Sequence, residues 1–319
     1  MKKFFFLLFL MCFSYIAMAQ ESQNVYNFLR VPVSAHASAL GGENISVIED
    51  DATLAFANPS LLQSVSDKTV SLGYMNYMSG ANFFMANYAQ PVSDKATVAF
   101  AAQYANYGKM KQTDVSGTVL GDFNASDLAL QGILSYTLAN RLVGGVTAKF
   151  VYSSIADYHS TAVAVDLGIN YYDEENDFSA SLVAKNLGGQ LSAYDEEFEK
   201  LPSDLQAGIS KRLIGTPFRF NLTATDLTHW DYSLFRHLTV GADILLSQQI
   251  YVAAGYNFRR AHEMSIAEIN SFGDEDEASH GAGLTLGGGI NLEKFKINIA
   301  YGKYHVSSSS VTVNIAFNI

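Results

Sequence analysis

The sequence predicts an all-β protein, a transmembrane antiparallel β-barrel of about fourteen strands with an N-terminal plug segment. Three observations predict it: side chains that alternate in polarity with a period of two, connections that alternate between short and long, and an export-type leader. The alternation is clearest in Val311-Thr312-Val313-Asn314-Ile315-Ala316-Phe317-Asn318-Ile319, where every odd position is large and apolar. A period of two places one set of side chains on each face of a strand, so one face meets an apolar phase and the other does not.

The alternation recurs backwards along the chain. Strand candidates are 69–78, 81–92, 95–108, 126–138, 141–156, 160–172, 177–187, 203–213, 217–228, 235–247, 249–261, 279–292, 294–305 and 309–319. Leu238, Val240, Ala242, Ile244 and Leu246 read as lipid-facing, as do Val163, Val165, Leu167 and Ile169. Lys149, Asp166, Arg219, Asp243 and Lys296 then all fall on the lumen side. A charge facing lipid at mid-depth costs roughly 2–4 kcal/mol, so this phasing is expected of a barrel. The five charges either pair across a filled lumen or line a polar permeation path.

Connections give independent support. Ser93-Asp94, Ala139-Asn140, 173–176, 214–216, Gln248 and Glu293 are short, whereas 109–125, 188–202, 229–234 and 262–278 are longer. Short turns on one side and long loops on the other are how outer-membrane barrels are built. An even strand number puts both barrel ends in the periplasm and the long loops outside the cell.

The leader fixes the compartment. Lys2 and Lys3 precede the apolar stretch 4–13, and Ala17-Met18-Ala19 offers the small residues of a cleavage site. Removing 1–19 as a signal peptide leaves 319 − 19 = 300 residues from Gln20 and takes away Cys12, the single cysteine. Disulfides and thiolate chemistry are thereby excluded. The formal charge moves from −11 to −11 − 2 = −13. An acidic chain without a basic stripe is a poor nucleic-acid binder. The expected location is the cell outer membrane of a Gram-negative bacterium.

Residues 20–68 form the expected plug segment before the barrel of 69–319, because 25–68 do not alternate; a periplasmic tail lying under the barrel is the alternative. Small residues close on Gly41-Gly42 as for a tight turn, and Asp51 can cap a short helix over 52–57 ahead of Asn58-Pro59.

These residues carry a family resemblance. Ala37-Ser38-Ala39-Leu40-Gly41-Gly42, Asp51-Ala52 and Asn58-Pro59-Ser60-Leu61-Leu62, followed by Val183-Ala184-Lys185-Asn186-Leu187-Gly188, resemble the PorV/PorQ group of outer-membrane proteins. The opening Val25-Tyr26-Asn27-Phe28-Leu29-Arg30-Val31-Pro32 is most similar to its PorQ branch. That group is related to FadL-type barrels, which have fourteen strands, an N-terminal plug and an Asn-Pro-Ala element; Ser60 departs from its Ala. The resemblance implies a place in the type IX secretion system of Bacteroidetes, anchoring a PorZ-like surface protein with PorU and PorV. The other reading is a FadL-like transporter for small hydrophobic molecules.

Catalytic patterns are missing. The sequence holds no Gly-x-Ser-x-Gly, no His-Glu-x-x-His and no Ser followed three residues later by Lys, and its seven histidines are spread singly. Gly287-Gly288-Gly289 lies within a strand candidate and reads as a bend or close packing. No enzyme activity, metal or cofactor is expected. Contacts with outer-membrane lipid and lipopolysaccharide are. The acidic runs 195–199 and 274–277 read as solvated loop residues, with divalent-cation bridging to lipopolysaccharide as the alternative. Tyr194, Phe198, Trp230, Tyr232, Ile269 and Phe272 in the long loops are the candidate partner contacts, because aromatic anchors among polar residues make binding hot spots. Trp230 equally suits the interfacial aromatic belt.

Overall fold

A computed structural model describes residues 24–230, 233–269, 275–278, 281–305 and 308–319, with the backbone alone at 266–269 and 275–278. The expected signal peptide lies outside the described residues. The wall begins with β1 (Thr69–Asn76), β2 (Asn82–Ser93), β3 (Ala96–Thr113), β4 (Val119–Ala139), β5 (Leu142–Ile155), β6 (Tyr158–Asp173) and β7 (Phe178–Ser192). It continues with β8 (Asp204–Arg212), β9 (Phe218–Ala224), β10 (Leu238–Leu245) and β11 (Ile250–Asn257). A small hairpin, β12 (Ile266–Ile269) with β13 (Glu275–Ala278), stands apart from the wall, which β14 (Leu284–Asn291), β15 (Phe295–His305) and β16 (Ser308–Asn318) complete.

Fourteen strands close into one antiparallel barrel when β16 pairs with β1, Phe317 opposite Val70. Its polarity is inverted relative to a water-soluble protein. Leu130, Leu134, Phe150, Val163, Leu167, Leu182, Val252 and Leu286 are exposed outward, while Gln131, Ser135, Thr147, Asn170 and Asn221 are buried. A continuous apolar outer surface is stable only against lipid. Among the described residues no helix is long and apolar enough to cross a membrane. The chain is an outer-membrane barrel by fold.

The expected loop over 109–125 is corrected: β3 and β4 pair on to Thr113 and Val119, with Lys109 opposite Asn124, so the connection shrinks to 114–118. Alternation fails there because a ribbon beyond the membrane has water on both faces. The stretch 258–261, expected as strand, is instead the start of a helix, Phe258–Glu263, capped by the Asn257 side chain.

The rim is uneven. β4 has 21 residues and β7 has 15, whereas β8 has 9, β9 has 7 and β10 has 8. Short turns join the strands at one end of the barrel, so the difference in length lies at the long-loop end. There a tall wall of β3–β7 faces a low wall of β8–β14.

The N-terminal segment comprises a 3-10 turn at Asn27–Arg30, helix α1 (Ala35–Ala39), and 3-10 turns at Ala52–Phe56 and Pro59–Ser64. The expected helix over 52–57 is thus a 3-10 turn, capped by the Asp51 side chain accepting from Thr53 N. Pro59 disfavours helical backbone at the residue before it, and Asn58 is extended, so the turn ends there. Backbone groups of the segment meet side chains from around the ring: Phe28 O accepts from Gln103, Ala52 O from Asn87, Ala39 O from Thr285 and Val33 O from Asn314. The segment therefore lies against the inner face.

Candidate functional site

Two seats in the wall receive the two motifs of the segment. Gly145 of β5 pairs across the ladder with Gly168 of β6. A Cβ on Gly145 would lie 2.3 Å from Ser60 N, and one on Gly168 would lie 2.2 Å from Asn58 Oδ1. Gly241 of β10 pairs with Gly255 of β11. Here a Cβ on Gly255 would lie 2.3 Å from Gly41 N, and one on Gly241 would lie 2.9 Å from Leu40 Cδ2. Each cross-strand glycine pair removes the side chains that would otherwise hold the segment off the wall. Gly41 and Gly42 have φ of +103° and +91°, so their turn also favours glycine. Asn58 Oδ1 accepts from Ser60 N at 3.0 Å, while its Nδ2 donates to Ile45 O at 2.8 Å.

A buried charge stands beside each seat. Asp243, 0% exposed, receives Arg219 Nε at 2.9 Å, Asn221 Nδ2 at 3.0 Å and His36 Nε2 at 2.7 Å. Arg219 Nη1 also reaches Glu49 at 2.7 Å, and Lys296 reaches Asp50 at 2.8 Å. Three wall charges thus hold the segment. Asp166, 1% exposed, instead pairs with Lys149 at 2.6 Å and accepts the backbone N–H of Asn186 at 2.7 Å.

That last bond marks a bulge. Val165 pairs with Leu187 and Leu167 with Ala184, so Lys185 and Asn186 together oppose Asp166. Asn186 has φ of +55°, and its side chain accepts from Lys149 at 2.8 Å and donates to Pro202 O at 3.1 Å. Gly188 follows because a Cβ there would meet Val163 O at 2.0 Å. The stretch 183–188 is therefore a wall irregularity held by a buried ion pair. It sits where the β7–β8 ladder ends, at Lys185 opposite Asp204.

Two cavities lie along the low wall. One of about 440 Å³ opens at the long-loop end and is lined by Arg30, Glu43, Lys185, Asp204, Arg260 and Tyr304 among others. One of about 460 Å³ opens at the short-turn end beside Glu49, Arg212, Gln248, Tyr251 and Asn291. The stretch 43–49 runs between them. Glu43 accepts from Gln206 at 3.2 Å, Ile45 lies against Gly208, Ser46 Oγ meets Ser210 Oγ at 2.7 Å, and Glu49 ends on Arg219. Among the described residues no backbone–backbone hydrogen bond ties this stretch to the wall.

Candidate partner residues are scattered. Phe198 and Trp230 are 66% and 58% exposed at the long-loop rim, the indole of Trp230 donating to Leu227 O at 2.8 Å. Tyr194 turns inward, hydrogen-bonded to Ser153, and burial pushes its phenol up to about 12. Ile269 lies on the β12–β13 hairpin, and Tyr232 and Phe272 lie outside the described residues. Among the described residues no group of three or more His, Cys, Asp and Glu is placed to hold a metal. Sequence reasoning missed His36, Glu49, Asp50, both glycine seats and the cations of the outer cavity. Their partners are remote, His36 and Asp243 being 207 residues apart.

No protein-family profile and no curated protein matches this chain. Solved structures do. The Pseudomonas putida toluene transporter TodX is 12% identical, with a TM-score of 0.58 over 91% of this chain and 99% of TodX. The fold is that of FadL-type channels. The CymD monoaromatic hydrocarbon channel is 11% identical, with a TM-score of 0.60 over 91% and 98% of the two chains. A Pseudomonas aeruginosa FadL homologue is 11% identical, with a TM-score of 0.54 over 90% and 98%. The likeness is one of fold: it bears out the expected FadL-type barrel architecture, and nothing in it points to the PorV/PorQ group or to type IX secretion.

Proposed function

We propose that the chain is an outer-membrane channel for small hydrophobic or amphipathic molecules, and that the N-terminal segment acts as a plug closing the straight path. The carrying observation is the pair of cavities at opposite ends of the low wall, separated by a stretch without backbone pairing. Side-chain contacts alone are easier to open than a ladder, so 43–49 is the gate. The names of TodX and CymD, a toluene transporter and a monoaromatic hydrocarbon channel, support this substrate class.

A Ser46→Cys/Ser210→Cys pair tests the gate, because its hydroxyls already meet and the only native cysteine is Cys12. Oxidation should abolish uptake of a fluorescent naphthylamine probe by expressing cells, and a reductant should restore it. Equal uptake by the oxidised and reduced forms would overturn the reading. A second reading, anchorage of a surface partner, draws on exposed Phe198 and Trp230. It expects replacement of 193–200 and 266–277 by Gly/Ser linkers to release that partner while uptake persists.

A further inference from the structure

The outer cavity is cationic in an acidic protein. The whole chain carries −11, yet the cavity lining holds Arg30, Lys185, Arg259 and Arg260 against Glu43, Asp204 and Glu263, or 4 − 3 = +1. Three of these charges are already engaged. Arg259 pairs with Glu263 at 2.7 Å and Asp226 at 3.2 Å, while Asp204 accepts from Asp226 N and from Gln206, each at 2.6 Å.

Arg30, Lys185 and Arg260 are not so engaged. Among the described residues none of the three has a carboxylate within ion-pair distance. Arg260 lies over the Tyr304 ring at 3.8 Å, with its Nη1 buried and lacking an acceptor; Arg30 Nε is in the same position. Leaving a buried charged donor unsatisfied is costly, so the arrangement calls for an anion. Glu43 faces all three from a distance, and burial raises its carboxyl towards the neutral form, which leaves still more positive charge in the cavity.

We propose that this cavity is a phosphate site in which Arg30, Lys185 and Arg260 hold the three terminal oxygens of a phosphate group. A carboxylate offers two coplanar oxygens, enough for one guanidinium fork. A phosphate offers three in a tetrahedral array and carries about −1.5 to −2 at neutral pH. Leu29, Tyr77 and Met264 complete the lining and suit an apolar body attached to the phosphate. The site deepens the channel reading and rests on the cavity being its outer mouth. Its ligand is free phosphate, a small phosphate ester, or a phosphorylated lipid headgroup of the outer leaflet, all sharing one chemistry.

Calorimetric titration of the detergent-solubilised mature protein separates these sources, using inorganic phosphate, phenyl phosphate, lipid A in mixed micelles, and benzoate at fixed ionic strength. At least one phosphate ligand should bind about tenfold or more tighter than benzoate, and the tightest of the three names the source. Arg260→Gln and Lys185→Gln should each weaken it by about tenfold or more, in samples whose heat-modifiable gel mobility reports a folded barrel. Arg30→Gln, in the N-terminal segment, provides a third variant should either of those fail to fold. Benzoate binding as tightly as the phosphates, no binding of any phosphate, or affinity unchanged in the folded variants would overturn the site. Binding is read without transport, so lost phosphate affinity with intact probe uptake rejects this site alone. Intact affinity with no uptake rejects the channel alone.

Discussion

The seat at β5–β6 and the seat at β10–β11 look alike and hold the N-terminal segment differently. Both are cross-strand glycine pairs that let backbone approach backbone, and both have an inward aspartate two residues from a glycine. At β5–β6 that aspartate, Asp166, spends its bonds within the wall, on Lys149 and on the bulge at Asn186. At β10–β11 Asp243 bonds across the interface to His36, and its partner Arg219 does the same to Glu49. One seat holds the segment by shape and the other by shape plus charge. The low wall, where charge does the holding, also carries both cavities and the unpaired stretch 43–49. Bonds that can be exchanged one at a time suit the gate proposed at 43–49, whereas close packing yields only as a whole.

The largest effect should come from filling the seats. Gly145→Val and Gly255→Val would each drive a side chain into segment backbone at 2.3 Å, with no flexible neighbour to yield. Each should cost on the order of 3 kcal/mol or more and expel its end of the segment. Single-channel recordings should show a conducting pore for both. Unchanged closed traces from folded Gly145→Val would remove the β5–β6 seat from the comparison.

The next effect should split the seats. Asp243→Ala leaves Arg219 with Glu49 alone and His36 without its partner; losing one member of a buried pair costs about 3–5 kcal/mol. Lys149→Met strands Asp166 at a similar cost, but inside the wall. Protease cleavage within 43–49 should therefore rise sharply for Asp243→Ala and little for Lys149→Met, while both lower the temperature of heat modification. Equal cleavage in the two variants would mean that the charges do not divide as described.

Sequence made the wall legible because period two is forced on any strand with lipid on one face and packed interior on the other. Even the phase was readable, from Val240 out and Asp243 in to Val163 out and Asp166 in. Close packing at Gly287–Gly289 was readable too: a Cβ on Gly287 would meet Ala39 Cβ at 2.6 Å. The seats were not, since a strand glycine gains meaning only from its cross-strand partner, and register joins Gly145 to Gly168 through no local signal. The outer cavity escaped for the same reason. Arg30, Lys185 and Arg260 lie on three elements far apart in sequence and meet only when the barrel closes.

A smaller effect is expected at Asn58. Asn58→Ala removes the cap on Ser60 N and the bond to Ile45 O, about 1–2 kcal/mol together, while the glycine seat beneath remains. Hydrogen exchange should quicken in 58–64 and leave 36–42 unchanged. Faster exchange at both motifs would show the two seats to be one cooperative unit.

The smallest effect concerns pH, and its sign opposes ordinary acid loosening. Glu43 and Asp51, both in the segment, have carboxyls raised above 4.5 and 3.8, foremost because burial strips water from the charged form. A group whose folded value exceeds its unfolded one contributes stability that is complete below the unfolded value and lost as pH rises through the folded value. Moving from pH 7 towards pH 5 therefore shifts both groups to the form that burial favours, and their contribution to docking grows. Protease protection of the 43–49 stretch should accordingly hold or increase at pH 5, and Glu43→Gln should flatten the change. A steep loss of protection between pH 7 and pH 5 in the parent protein would show that the charge-held seat, and not burial of these two carboxyls, governs the segment.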